Sequence, residues 1–145
     1  MRDILIDREA LTAIVAHARR DAPRECAGLL IGRPDQILEA VPATNRAQDP
    51  TRHYEIEPAE YFAQISRCRR ISSLQSDTFA VLGSYHSHPR GGPEPSETDL
   101  AMAFPEFIFL IVGLGGGAGG MEIRAHELTG QMFTPLTLTV IDGPG

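Results

Sequence analysis

The order of apolar and amphipathic segments predicts an α/β (α+β) fold, in which a mixed β-sheet is flanked by helices. Helix signals mark two segments, from Asp7 to Arg20 and from Pro58 to Arg70. Apolar runs of strand length come between and after them, and this order is typical of such folds. With 145 residues, the chain is long enough to bury one core, so we expect a single domain over residues 1–145.

The first third of the chain predicts a helix followed by a hairpin. Asp7 is the expected N-cap of the first helix, and His17 lies off its apolar stripe, so we expect His17 to be solvated. Residues Glu25 to Gly32 form a continuous apolar run led by a carboxylate, which predicts a strand buried on both faces. Ile37 to Val41 is its expected partner across an Arg-Pro-Asp turn.

The second half predicts four more strands and a short helix. The strands are expected at Phe79–His88, Phe107–Gly113, Met121–Leu128 and Leu136–Ile141, and the helix at Asp99–Phe104. Together with the first hairpin, these strands supply the mixed sheet of the predicted fold.

The stretch from Gly113 to Gly120 is almost entirely glycine. A phosphate-binding loop would need a Lys and a Ser or Thr behind it, and Met121 and Glu122 follow instead. We therefore expect a flexible hairpin loop. His126 lies on the polar face of the next predicted strand, so it is expected to be solvated.

Composition restricts the compartment and the partners. The net charge of -6 argues against nucleic acid or an anionic membrane as the main partner. The longest apolar run, Phe107 to Leu114, is too short to span a bilayer, and the charged start of the chain does not fit a signal peptide. Two cysteines, Cys26 and Cys68, fit a reducing compartment, although a bridge between them stays open. We expect a cytoplasmic protein; assembly into a homo-oligomer also stays open.

Two imidazoles and one carboxylate occur where a predicted strand gives way to a helix. His86 and His88 are two residues apart on the strand, so both side chains point to one face. Asp99 is in the first turn of the following helix, where its short side chain can reach back. Two imidazoles and a carboxylate, with a fourth position left to water, are typical of catalytic zinc. The sequence therefore predicts one Zn²⁺ per chain held by these three residues.

Glu25 and Ser96 are the candidate catalytic residues beside this metal. A zinc hydrolase needs a base that moves a proton from water to the leaving group, and Glu25 opens a buried strand, where a carboxylate needs a reason to be. The alternative is a strand-end charge that meets solvent. Ser96 and Asp99 resemble a capping box, and the Ser96 hydroxyl could also donate to an oxyanion.

The pattern resembles the motif of JAMM metalloproteases, the MPN+ domain family, position for position at Glu25, His86, His88, Ser96 and Asp99. The resemblance covers most of the chain, including the segment Asn45–Ile56, which is similar to that of small bacterial members. It implies a cytidine-deaminase-like MPN domain and a zinc-dependent peptidase or isopeptidase that cleaves after the C-terminal Gly-Gly of ubiquitin-like proteins. Similar bacterial members process sulfur-carrier proteins with a ubiquitin-like fold, so such a carrier is the expected partner.

Other functions remain alternatives at this point. Some domains of this type have lost the metal and serve as scaffolds or binding modules, and another JAMM substrate would be a cell-wall or small peptide. A zinc deaminase is excluded, because its Pro-Cys-x-x-Cys motif is absent. We further expect the loop Ser87–Pro95, with strand edges near Glu25 and Phe107, to form a narrow channel in which a Gly-Gly tail adds as a strand.

Overall fold

The computed structural model describes residues 2–75, 78–101, 107–116 and 120–142. In chain order, these residues form β1 (Asp3–Asp7), α1 (Arg8–Asp21), β2 (Ala27–Arg33), β3 (Gln36–Ala43), α2 (Pro58–Gln75), β4 (Ala80–His88), α3 (Glu97–Ala101), β5 (Ile108–Gly116), β6 (Gly120–Thr129) and β7 (Met132–Ile141). The predicted helix Asp99–Phe104 is described only in its first part, because residues 102–106 lie outside the described residues.

The described strands close into a barrel in the order β1-β3-β2-β4-β5-β6-β7. The sheet is mixed, as predicted, because β1 pairs in parallel with β3 and β7, and β4 with β5, whereas the other pairs are antiparallel. The predicted α/β class is confirmed. Closure of the sheet was not predicted, since it depends on pairing between the two ends of the chain, where Ile4 lies opposite Leu138.

Strand β2 lies between β3 and β4 in the barrel, and Glu25 comes shortly before its first residue. It pairs with β3 on one side and with β4 on the other, and its residues from Ala27 to Gly32 are all buried. The prediction of a strand buried on both faces, with a hairpin to β3, is confirmed. Cys26, directly before this strand, and Cys68 on α2 are both buried free thiols, so no bridge joins them.

Helix α1 packs its apolar stripe against the strands through Ala10, Ile14 and Ala18. The expectation for His17 is wrong, because His17 is only 5% exposed. Its Nε2 lies 3.1 Å from an Asp21 carboxylate oxygen, which can only accept, so Nδ1 accepts from the Tyr85 hydroxyl at 2.7 Å. Burial of this imidazole depends on a partner on β4, which no pattern within the helix reveals.

The described residues of the glycine-rich stretch belong to strands, where a loop was expected. Strand β5 continues to Gly116, β6 begins at Gly120, and these two glycines pair with each other; residues 117–119 lie outside the described residues. The expectation for His126 is also wrong. This residue is 3% exposed, and its Nε2 donates to the Pro93 carbonyl at 3.1 Å. No helix among the described ranges is long and apolar enough to cross a membrane.

Candidate metal site

The C-terminal end of β4 supplies two imidazoles to one face of the sheet. Side chains alternate along a strand, so Tyr85 faces α1 while His86 and His88 face the other side. Asp99 joins them from the first turn of α3. His86 is fully buried, and the side chains of Asp99 and His88 are 8% and 15% exposed. The structure thus brings the three predicted metal ligands together.

The three side chains are spaced as the ligands of one small cation would be. The Nε2 atoms of His86 and His88 are 3.2 Å apart. Each lies 3.2 Å from an Asp99 oxygen, His86 from Oδ1 and His88 from Oδ2. Tetrahedral zinc, with ligand bonds of about 2.0–2.2 Å, places neighbouring ligand atoms about 3.3–3.6 Å apart, close to the distances found here. The donor set and its spacing therefore fit a zinc ion.

Glu25 is a second carboxylate beside the same imidazoles. It precedes β2, is 5% exposed, and can place an oxygen within 4.8 Å of ligand nitrogens of His86 and His88. Its backbone N–H donates to the Pro50 carbonyl at 2.7 Å, and its carbonyl accepts from Asn45 Nδ2 at 2.9 Å. These two backbone hydrogen bonds fix Glu25 in its buried position beside the imidazoles. Glu25 is therefore not a charge at a strand end that meets solvent.

The two carboxylates differ in their electrostatic environments. Burial raises the pKa of Glu25 to about 7, with the His88 charge opposing and the Asp99 charge adding to the shift. Burial would also raise the pKa of Asp99, but hydrogen bonds to His86 and His88 outweigh it and hold that pKa well below its usual range. Asp99 is therefore ionised, whereas burial favours the protonated form of Glu25.

Ser96 and Asp99 form the predicted capping box at the start of α3. The Ser96 N–H donates to Asp99 Oδ2 at 2.8 Å, and the Asp99 N–H donates to Ser96 Oγ at 3.0 Å. Ser96 itself is exposed. The reciprocal bonds fix the Asp99 carboxylate toward the imidazoles and leave the Ser96 hydroxyl hydrogen available.

The glycine-rich end of β5 supports the loop that orients His88. His88 Nδ1 donates to the Gly92 carbonyl at 2.9 Å, which turns Nε2 toward His86 and Asp99, where a metal would bind. A Cβ on Gly113 would lie 2.6 Å from the Pro93 nitrogen and closer still to the Gly92 carbon, so only glycine lets this loop approach. The glycine run in the sequence signalled a close backbone contact, but the sequence did not reveal that the contacting segment is the Gly92–Pro93 backbone.

The strand edges near Glu25 and Phe107 do not line a channel at the site, contrary to the prediction. Phe107 precedes the start of β5, where Ile108 pairs with Gly83, whereas His88 pairs with Gly113. Five residues along a strand span about 16 Å, so Phe107 is remote from the site. Near Glu25, β2 is already paired on both sides. A tail cannot add to β2 as a strand, and of the segments expected to line the channel the Ser87–Pro95 loop is the one that lies beside the imidazoles.

Comparison with known proteins identifies the family. The family model described as prokaryotic homologs of the JAB domain matches residues 7–127. The chain belongs to this family. The desampylase of Haloferax volcanii is 35% identical over 139 residues, which cover 91% of this chain and 92% of that protein. The CysO-cysteine peptidase of Mycobacterium tuberculosis is 32% identical over 142 residues, covering 96% and 92%.

Two solved structures share the fold of this chain. A solution structure of a protein from Desulfitobacterium hafniense superposes with a TM-score of 0.81 at 25% identity, covering 97% of this chain and 94% of that one. A JAB1/MPN domain protein from Archaeoglobus fulgidus shares the fold, with a TM-score of 0.59 at 20% identity and coverages of 96% and 98%. The family predicted from the five-residue motif is thereby confirmed.

Proposed function

We propose that the chain is a zinc-dependent peptidase or isopeptidase. In this proposal, His86, His88 and Asp99 hold the ion, Glu25 is the general base, and Ser96 stabilises the oxyanion. The observation that carries it is the mutual spacing of 3.2 Å among the two Nε2 atoms and the Asp99 oxygens. A scaffold domain that had lost its metal would not need to keep these three buried side chains pointing toward one position.

The two carboxylates are assigned different roles. Asp99 contacts both imidazoles directly and is ionised, which suits a ligand. Glu25 has a carboxylate oxygen within 4.8 Å of ligand nitrogens of both imidazoles and a pKa raised to about 7, and we assign it as the base rather than as a ligand. When bound, zinc would supply Lewis-acid chemistry that polarises the scissile carbonyl and lowers the pKa of a coordinated water.

Proton movement is assigned to Glu25. Its carboxylate accepts a proton from the attacking water as the new C–O bond forms, and then delivers it to the leaving nitrogen as the C–N bond breaks. The Ser96 hydroxyl donates to the carbonyl oxygen as negative charge develops there.

We propose a ubiquitin-like sulfur-carrier protein as the substrate, cleaved after its C-terminal Gly-Gly. Two related proteins, a desampylase and a CysO-cysteine peptidase, support this class of substrate. The Ser87–Pro95 loop beside the imidazoles also supports it, because its Gly and Pro residues present few side chains and leave room for a tail without them. A cytoplasmic location, where such carriers would be met, stays a prediction.

Mass spectrometry of a carrier extended past its Gly-Gly by one amino acid tests this proposal. The zinc-loaded protein should release the extension, and a chelator should stop the release. A carrier with a bulky residue in place of the penultimate Gly should resist cleavage. Equal cleavage of both carriers would contradict a narrow binding site, and cleavage of neither would overturn this substrate in favour of another, such as a cell-wall peptide.

A further inference from the structure

The two imidazoles of the site are held in different ways. His88 has the arrangement usual for a metal ligand, since its Nδ1 donates to the Gly92 carbonyl. His86 does not. Its Nδ1 is buried, and no residue in the described part of the chain gives it a hydrogen-bond partner. Some contact other than a hydrogen bond to Nδ1 must therefore fix the plane of the His86 ring.

The ring of Tyr54 supplies that contact. The Tyr54 and His86 rings stack with centroids 4.2 Å apart and planes inclined by 18°. The Ser84 side chain also faces the Tyr54 hydroxyl, whose pKa it lowers against the larger effect of burial. Ser84 precedes His86 by two residues on β4, so both point to the face where Tyr54 lies. Tyr54 therefore lies against the strand that carries the imidazoles.

Asn45 fixes the backbone on either side of Tyr54. Its Nδ2 donates to the His53 carbonyl at 2.9 Å, and its Oδ1 accepts from the Glu55 N–H at 3.1 Å. The same Nδ2 donates to the Glu25 carbonyl at 2.9 Å. One side chain therefore ties the segment that carries Tyr54 to the backbone of the proposed base.

We propose that Tyr54 is the positioning residue of His86. Its stacked ring keeps the imidazole plane aligned, so that Nε2 lies 3.2 Å from both His88 Nε2 and Asp99 Oδ1. Tyr54 acts through His86 and takes no part in proton transfer. The inference rests on the proposed function, because it assumes that these atoms hold a metal. No pattern around Tyr54 in the sequence indicates this role, since its partners are at positions 84 and 86.

Zinc affinity, measured by competition with a chromophoric chelator, tests the inference without any substrate. Tyr54→Leu removes the stack and should weaken zinc binding about 10-fold or more, as loss of groups that orient metal ligands does. Tyr54→Phe keeps the ring and should bind zinc nearly as the parent does. Phe62→Leu is the matched control, because Phe62 is an aromatic residue that is 62% exposed on α2. It should bind zinc as the parent does.

Proton NMR of the parent gives a second readout that does not depend on a variant's folding. A stacked phenol should shift the His86 ring protons upfield, and the shift should persist in Tyr54→Phe. Unshifted His86 protons in the parent would overturn the stack. A folded Tyr54→Leu variant with parental zinc affinity would overturn this inference alone, whereas a parent that binds no zinc would overturn the proposed function as well.

Discussion

Nε2 of His88 lies 3.2 Å from Asp99 Oδ2, although the two residues belong to different elements of the chain. A cation bound between these two side chains would be coordinated by residues from two elements, β4 and α3. Replacing His88 with Ala removes one of three proposed ligands and should abolish tight zinc binding, measured as zinc per chain by elemental analysis. His53→Ala is the control, because His53 is exposed and only its backbone carbonyl is used near the site. Full zinc occupancy in the His88 variant would refute the ligand assignment.

Ser96 has a structural role and a proposed catalytic role that one substitution can separate. Glycine is tolerated at an N-cap at a cost of only a few tenths of a kcal/mol, so Ser96→Gly should change the free energy of unfolding little. Loss of the hydroxyl should lower turnover by about 100-fold or more, the usual effect of removing an oxyanion donor. Parental turnover in a variant of normal stability would leave Ser96 with its capping role alone.

Gly113 should matter through the loop that it allows to approach. Gly113→Ala would force the Gly92–Pro93 backbone away, and overpacking of this kind costs about 1–3 kcal/mol. We expect a lower melting temperature and weaker zinc binding, because the Gly92 carbonyl orients His88. In the matched control Gly92→Ala, the added Cβ meets nothing within 4 Å. Equal effects of the two substitutions would contradict this account of the glycine run.

The close approach of the candidate site residues within each pair was predictable because their spacing is local. His86 and His88 are two residues apart on one strand, and Ser96 and Asp99 are three apart at a helix start, so periodicity and capping rules alone place each pair. The environments of His17 and His126 were not predictable. Their hydrogen-bond partners are 68 and 33 residues away, and in both cases a local polar pattern suggested solvent. Closure of the barrel could not be predicted for the same reason, because it depends on pairing between the first strand, β1, and the last strand, β7.

His17 should make stability depend on pH. Burial lowers the pKa of His17 below the value of about 6.5 usual for an imidazole, although the nearby Asp21 opposes this shift and Arg20 adds to it. The unfolded chain therefore binds a proton near pH 6.5 that the folded protein does not, so stability is retained above that pH and lost as pH falls below it. Urea unfolding between pH 7.5 and 5.5 should show a steeper loss for the parent than for His17→Gln. Parallel curves would contradict a buried neutral imidazole.

The division of roles between Glu25 and Asp99 is the central claim, and the Glu25→Gln variant tests it most directly. Glutamine keeps the size and the backbone bonds of Glu25 but cannot accept the proton. The purified variant should carry as much zinc as the parent by elemental analysis, while its cleavage of the extended carrier should fall by at least about 100-fold. Turnover equal to that of the parent would contradict the base assignment, and loss of zinc would show that Glu25 is a ligand.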